Sequence, residues 1–146
     1  MIGKNHKSAI GTIVERKTRF TLIVKLESKK AGEVANEFSK ILNKLNPIYK
    51  KSMTYDNGIE MARHEKITKN TGMKIYFAHP YSSWERGTNE NTNGIIRRYL
   101  PKGTDFNEIH LNQLQIIQEK LNNRPRKIIG YKTPKEMMDL ELKFVA

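Results

Sequence analysis

Two acids stand where chemistry could be done, Asp56 and Glu90. Asp56 follows the strand-like run Lys51 to Tyr55. The carboxyl end of a strand is where ligand and metal sites gather in α/β sheets. Taken alone, Asp56-Asn57-Gly58 reads as turn chemistry. Glu90 sits in HPYSSWERGTNENTNG, residues 79–94, which holds three Asn and two Gly. Asn costs up to about 0.7 kcal/mol per helix position relative to Ala, and Gly about 1. Such a segment is either loop or carries something that outweighs propensity. If residues 86–99 are helical, Arg86, Glu90, Asn93 and Arg97 share one face at spacings of three and four. Neutral Asn side chains can then line a carboxylate site without neutralising it. Glu85 falls at or before the first turn, where the helix dipole already favours an acid. That leaves Glu90 as the candidate. Two carboxylates brought from separate elements suit a hard divalent cation, Mg²⁺ or Mn²⁺.

The bulk composition says what such a pair would act on. Lys and Arg number 27 against 15 acids in 146 residues, a net charge of +12. So basic a single domain points to a polyanion, nucleic acid first, and to phosphoryl transfer on its backbone. The absence of cysteine excludes disulfides, thiolate nucleophiles and Cys-ligated zinc. No apolar run approaches a membrane span, and the first residues are not a signal peptide, so a cytoplasmic, nucleoid-associated protein is expected.

The elements that must position these residues follow from periodicity. Residues 9–26 read as two strands around a polar turn at Glu15 to Thr18. Ala31, Val34, Ala35, Phe38, Ile41, Leu42 and Leu45 form one helical stripe, stopped by Asn46-Pro47. A strand over 51–55 leads to the Asp56 turn, then a helix over 59–71 capped by Gly72, then a strand over 74–78. Ile109, Leu114, Ile117 and Leu121 outline a further helix ending before Pro125. Thr133-Pro134-Lys135-Glu136 is a capping box opening a last helix. The pattern predicts one α/β domain over 1–146, with three layers and a mixed sheet.

The motifs themselves resemble a known family. The Asp56 of TYDNG, followed after 33 residues by the Glu90 of YSSWERGTNENTNGIIRRYLPKGTDF, is similar to the second and third acids of DDE transposases of insertion sequences. These have a retroviral-integrase-like catalytic core. The likeness runs from GKNHKSAIGTIVERKTRFTLIVKL to LNNRPRKIIGYKTPKEM, essentially the whole chain. It implies a ribonuclease-H-like fold, Asp56 and Glu90 as catalytic metal ligands, DNA ends and target DNA as partners, and a homo-oligomer. The family's first Asp would fall a couple of residues ahead of Met1, on a central strand of which most is missing here. Glu15, the nearest acid, belongs to the hairpin turn. The expectation is therefore an N-terminally truncated core, without the helical DNA-binding region of relatives and impaired in metal-dependent cleavage and joining.

A second reading is a non-catalytic, basic DNA-binding relic of such an enzyme. A basic RNA-binding protein would account for the charge and leave the Asp56–Glu90 pair unexplained. Arg86, Asn93, Arg97, Arg98, Lys102, Arg124, Arg126 and Lys127 are the candidate DNA contacts. Tyr81 and Trp84 could stack on a frayed base or pack under the loop. His79 reads as a structural loop histidine. His6, His64 and His110 share no ligand spacing.

Overall fold

The structure is a computed structural model that describes residues 1–3, 8–55, 58–79 and 87–145, with side chains described to 143. Strands β1 (Ala9–Val14) and β2 (Thr21–Leu26) pair antiparallel as a hairpin, with Ala9 opposite Leu26 and Val14 opposite Thr21. Helix α1 (Ala31–Asn43) follows, then β3 (Ser52–Tyr55), α2 (His64–Thr71) and β4 (Lys74–Phe77). β3 and β4 pair in parallel, the connection between them being the crossover through α2. The chain closes with α3 (Gly87–Ile96), α4 (Leu111–Asn122) and α5 (Pro134–Val145).

Strand alternation explains the layers. Ala9, Val24 and Leu26 join Val34, Ala35, Phe38 and Leu42 of α1, with Ile67 of α2, in one buried cluster. Ile10 and Ile23 point to the other face and pack with Ile96, Phe106, Leu114, Ile117 and Leu121. Successive strand residues thus feed opposite cores, because side chains alternate across a pleated sheet. Gly11 interrupts the apolar pattern for a steric reason. A Cβ built there would lie 2.4 Å from Phe38 Cε1, so the fully buried Phe38 ring occupies the space over its backbone. Phe38→Ala would remove that filling at about 3–5 kcal/mol.

The expected mixed α/β architecture is present; among the described residues the four strands lie as two pairs, β1–β2 and β3–β4, with no hydrogen-bonded ladder between the pairs. Beside β1, on the side away from β2, Ile2 bridges antiparallel to Ala9. Around that bridge Met1 and Ile10 exchange both backbone bonds, at 2.6 and 3.0 Å.

Three element boundaries differ from the sequence expectation. The helix expected over 59–71 is broken: a 3₁₀ turn at Ile59–Met61 precedes α2, because Arg63 takes non-helical angles of −110° and 31°. That break buries Met61 and leaves Ile59 in solvent. The helix expected over 86–99 ends at Ile96, and Arg98 and Tyr99 close i→i−3 bonds of 3.1 and 2.9 Å instead. Pro101 disfavours helical geometry at Leu100, so the chain tightens and turns. Ile109 precedes α4, whose N-terminus is capped reciprocally by His110 and Gln113. The Gly72 cap forms as expected, with φ at 73°, and the Thr133–Glu136 box forms with bonds of 2.7 and 3.1 Å.

Candidate active site

β1 and β3 face a cavity of about 810 Å³. β1 contributes Gly11 to Val14, and β3 contributes all four of its residues. One wall is the first two turns of α3, through Thr88, Asn89, Glu90 and Asn93. The opposite wall is apolar, with Leu42, Leu45 and Met73.

Glu90 and Asn93 therefore do meet on one face, one helical turn apart, as their spacing requires. Asn93 Oδ1 accepts a 2.7 Å hydrogen bond from the Thr12 hydroxyl, tying α3 to β1. Thr92 turns its hydroxyl back to Thr88 O at 2.9 Å and is buried. The Thr88 hydroxyl accepts from the Arg19 guanidinium. These bonds hold a helix whose Asn- and Gly-rich composition would not hold itself. Asn89 Oδ1 is buried and has no hydrogen-bond partner. Asp56 and Arg86 lie outside the described residues, as do Tyr81, Trp84, Glu85 and His6. Tyr55, the residue before Asp56, is on the cavity wall with Glu90.

Three further acids line the cavity: Glu15, Glu60 and Glu141. Burial opposes ionisation of Glu15, but the hydroxyl and N–H of Thr18 and the N–H of Lys17 donate to its carboxylate and hold its pKa below the ordinary value. It is a turn-forming residue, as its sequence position suggested. Glu141 pairs with Lys17 at 2.7 Å. Glu60 reaches the wall from the 3₁₀ turn after Gly58, a placement with no motif to announce it. Among the described residues no three of His, Asp and Glu converge on a common point. The oxygen-donor chemistry of Glu90, Asn89 and Asn93 fits a hard cation in kind. In number it needs carboxylates beyond Glu90.

The candidate DNA contacts fall into two groups. Arg98, Lys102, Arg124 and Lys127 are exposed. Arg97 does not continue the Glu90 face. Its guanidinium donates to the carbonyls of Ile2, Leu100 and Pro101 at 3.0 to 3.4 Å and lies 5.8 Å from the centre of the Phe106 ring. Arg126 donates to Leu121 O at 3.4 Å, and its Nε is buried without a partner. Burial, and then the charge of Arg124, lowers its pKa. Of the histidines, His64 contacts Met61 O at 3.1 Å and the Phe77 ring edge-on, and His110 caps α4. No helix among the described residues is long and apolar enough to cross a membrane.

No family model matches the chain. It is 52% identical over 136 residues to the transposase for insertion sequence element IS4351 of Bacteroides fragilis, a match spanning 93% of this chain and 41% of that protein. It is 43% identical over 139 residues to transposase InsI for insertion sequence element IS30A of Escherichia coli K12, spanning 95% of this chain and 36% of that protein. The chain thus covers about two fifths of the length of these relatives. Its fold is similar to the crystal structure of the catalytic core domain of BIV integrase, with a TM-score of 0.73 over 99% of this chain and 93% of that one, at 20% identity. The likeness carries the ribonuclease-H-like fold.

Proposed function

We propose, for a chain that belongs by sequence to the transposases of insertion sequence elements, that residues 1–146 are a catalytic core acting in DNA transposition. The reaction would be cleavage at element ends followed by attack of a terminal 3′-hydroxyl on target DNA. The observation that carries this reading is the cavity, which sets Glu90 and Asn93 on one wall while β3 runs along another and leads directly into Asp56. Asp56 and Glu90 would be the carboxylates that hold a divalent cation, Mg²⁺ or Mn²⁺, which when bound polarises phosphate oxygens and activates an attacking oxygen. Asn93, oriented by the Thr12 hydroxyl, keeps the helix face beside Glu90 polar without adding charge. Arg86, Arg98, Lys102, Arg124 and Lys127 would bear on the DNA backbone, with Asn93, Arg97 and Arg126 as nearer, partly committed neighbours. Pairing of two DNA ends would call for more than one copy, and DNA binding would hold the protein at the nucleoid.

The third carboxylate of the family pattern has no counterpart in these 146 residues. Supporting a place for it, the register of Met1 opposite Ile10 sets the second position ahead of Met1 opposite Thr12, on the Glu90 side of the sheet. With two carboxylates alone we expect weak joining activity. The test is strand transfer with pre-cut element ends and Mn²⁺, comparing these residues with their Glu90→Gln and Asp56→Asn variants. Robust joining that depends on both acids would overturn the impairment. DNA binding of equal strength with and without metal, unmoved by either substitution, would favour a binding relic. Lys102→Ala should lower the log–log salt slope of binding by about 0.9 if that lysine meets a phosphate.

A further inference from the structure

Between α4 and α5 the chain forms a basic lobe that takes no part in lining the cavity. From Lys120 to Lys135 there are six Lys and Arg and no acid. The lobe closes at a neck, where Arg126 N–H donates to Lys132 O at 3.0 Å and Tyr131 N–H donates to Arg126 O at 2.9 Å. Beyond the neck Ile129 N–H donates to Arg126 O, Gly130 N–H to Lys127 O and Lys132 N–H to Ile129 O, at 3.1 to 3.3 Å. Every backbone N–H from Ile129 to Lys132 is thus committed inside the lobe, which fixes its shape in advance. What this scaffold presents is apolar. Ile128 is 71% exposed and Tyr131 69%. One exposed isoleucine is ordinary on a protein surface. Here two large side chains stand three residues apart on a backbone that strain helps to define. Gly130 and Tyr131 are consecutive left-handed residues, with φ of 66° and 60°. Glycine adopts that region freely, whereas a residue with a Cβ does so at a cost, and the Tyr131 ring offsets little of it by burial. Around this apolar tip Arg124, Lys127 and Lys132 are all exposed.

We propose that this lobe is a DNA wedge: Ile128 and Tyr131 enter a base step from the minor groove while Arg124, Lys127 and Lys132 hold the phosphates beside it. The inference rests on the transposase reading for its partner and adds to it a deformation of the duplex. Insertion needs apolar bulk, flanking cations and a tip already ordered, because ordering a loose loop would use up what unstacking the bases yields. The lobe supplies all three. Ile128 is the part that parts the bases, and the Tyr131 ring offers a face on which an unstacked base can lie. Charge separates this occupant from a second copy of the chain, since two such lobes meeting would bring like cations together. A step opened in this way kinks toward the major groove and unwinds.

The experiment is plasmid unwinding by the 146-residue protein. Closed circular DNA is relaxed by a metal-independent topoisomerase in EDTA with the protein bound, stripped of protein, and its linking number read on a gel. The parent should lower the linking number in proportion to the protein bound. Ile128→Ala should abolish that shift while binding stays within a few-fold, and Ile128→Leu should restore it. Tyr131→Gly keeps the left-handed backbone and removes the ring, so it should weaken the shift with the lobe intact. Lys127→Ala should do the converse, cutting the log–log salt slope by about 0.9 and leaving the shift per bound protein unchanged. Melting curves of the variants should match the parent, because the side chains removed are exposed. Bound parent that leaves the linking number unmoved would overturn the proposal, as would unwinding that Ile128→Ala retains. Self-association of the parent that Ile128→Ala abolishes, without unwinding, would give the tip to a second copy instead. Strand transfer without unwinding would sink the wedge alone, and unwinding without strand transfer would sink the catalytic reading alone.

Discussion

The hairpin treats its two edges in opposite ways. Along the outer edge of β2, α4 lays down side chains that replace a strand. Asn122 accepts from Thr21 N–H and donates to Thr21 O, both at 2.8 Å, and Gln118 accepts from Ile23 N–H at 2.9 Å. Lys25 extends the seal by donating to the carbonyls of Asn107 and Ile109 at 3.2 and 2.7 Å. Among the described residues, the inner edge of β1 is paired over its first residues by Met1 to Gly3, and the rest lines the cavity. An exposed edge is a liability that proteins close when nothing is meant to pair there. Side chains of α4 thus close the outer edge, while the inner edge faces the cavity that Glu90 and Asn93 line.

The sharpest way to break this contrast is to unseal the closed side. Thr21 and Asn122 are 1% and 4% exposed, so Asn122→Leu strands a buried N–H and a buried C=O with no water to take them. At about 1–3 kcal/mol for each unsatisfied group, the loss should reach about 2–5 kcal/mol in urea unfolding. A loss below about 1 kcal/mol for the leucine variant would mean that the seal is ornamental.

This contrast also divides what the sequence disclosed from what it hid. The alternation of Ala9 and Ile10, the α1 stripe, the Gly72 stop and the Thr133 box were legible because each rests on spacings within a few residues. Glu90 and Asn93 share a wall for the same reason. Asn122 against Thr21 is a contact across 101 positions, and no local period encodes it. Thr12, Asn89 and Glu60 joined the site from elements whose approach only the fold determines. Arg97 shows the converse error of local reasoning. Its i+7 relation to Glu90 suggested a shared face, yet Pro101 bends the chain and the guanidinium goes to three carbonyls. The broken helix at Arg63 was hidden too, since nothing in Ile59 to Thr71 forbids helix and only burial of Met61 favours the break.

On the open side a comparable deletion should do less to stability. Thr12→Val removes the hydroxyl that donates to Asn93, but Asn93 is only partly buried and faces the cavity, where water can replace the bond. The expected loss is about 0.5–1.5 kcal/mol, well under that of Asn122→Leu. Its larger consequence should be in α3, with faster amide exchange over Thr92 to Ile96 as the helix loses its tie to β1. Equal losses for the two variants would erase the distinction between an edge sealed by α4 and one that faces the cavity.

The smallest effect concerns the turn that joins the two edges, and pH exposes it. Glu15 is held ionised by donors from Thr18 and Lys17 despite burial, so its folded pKa lies below the ordinary 4.5. A carboxylate depressed in this way stabilises the folded state above the unfolded pKa, and that contribution fades as pH falls through the folded value. Glu15→Gln keeps one acceptor oxygen and loses the charge. At neutral pH the variant should melt a little below the parent. Below pH 4.5 the gap should narrow and then close, because the parent must protonate the group that the variant never ionises. Glu33, depressed mainly by the Ser28 hydroxyl, stays in both proteins and keeps part of the acid sensitivity in place. A gap in melting temperature that stays constant from neutral pH down through the acid range would show that the turn gains nothing from the charge on Glu15.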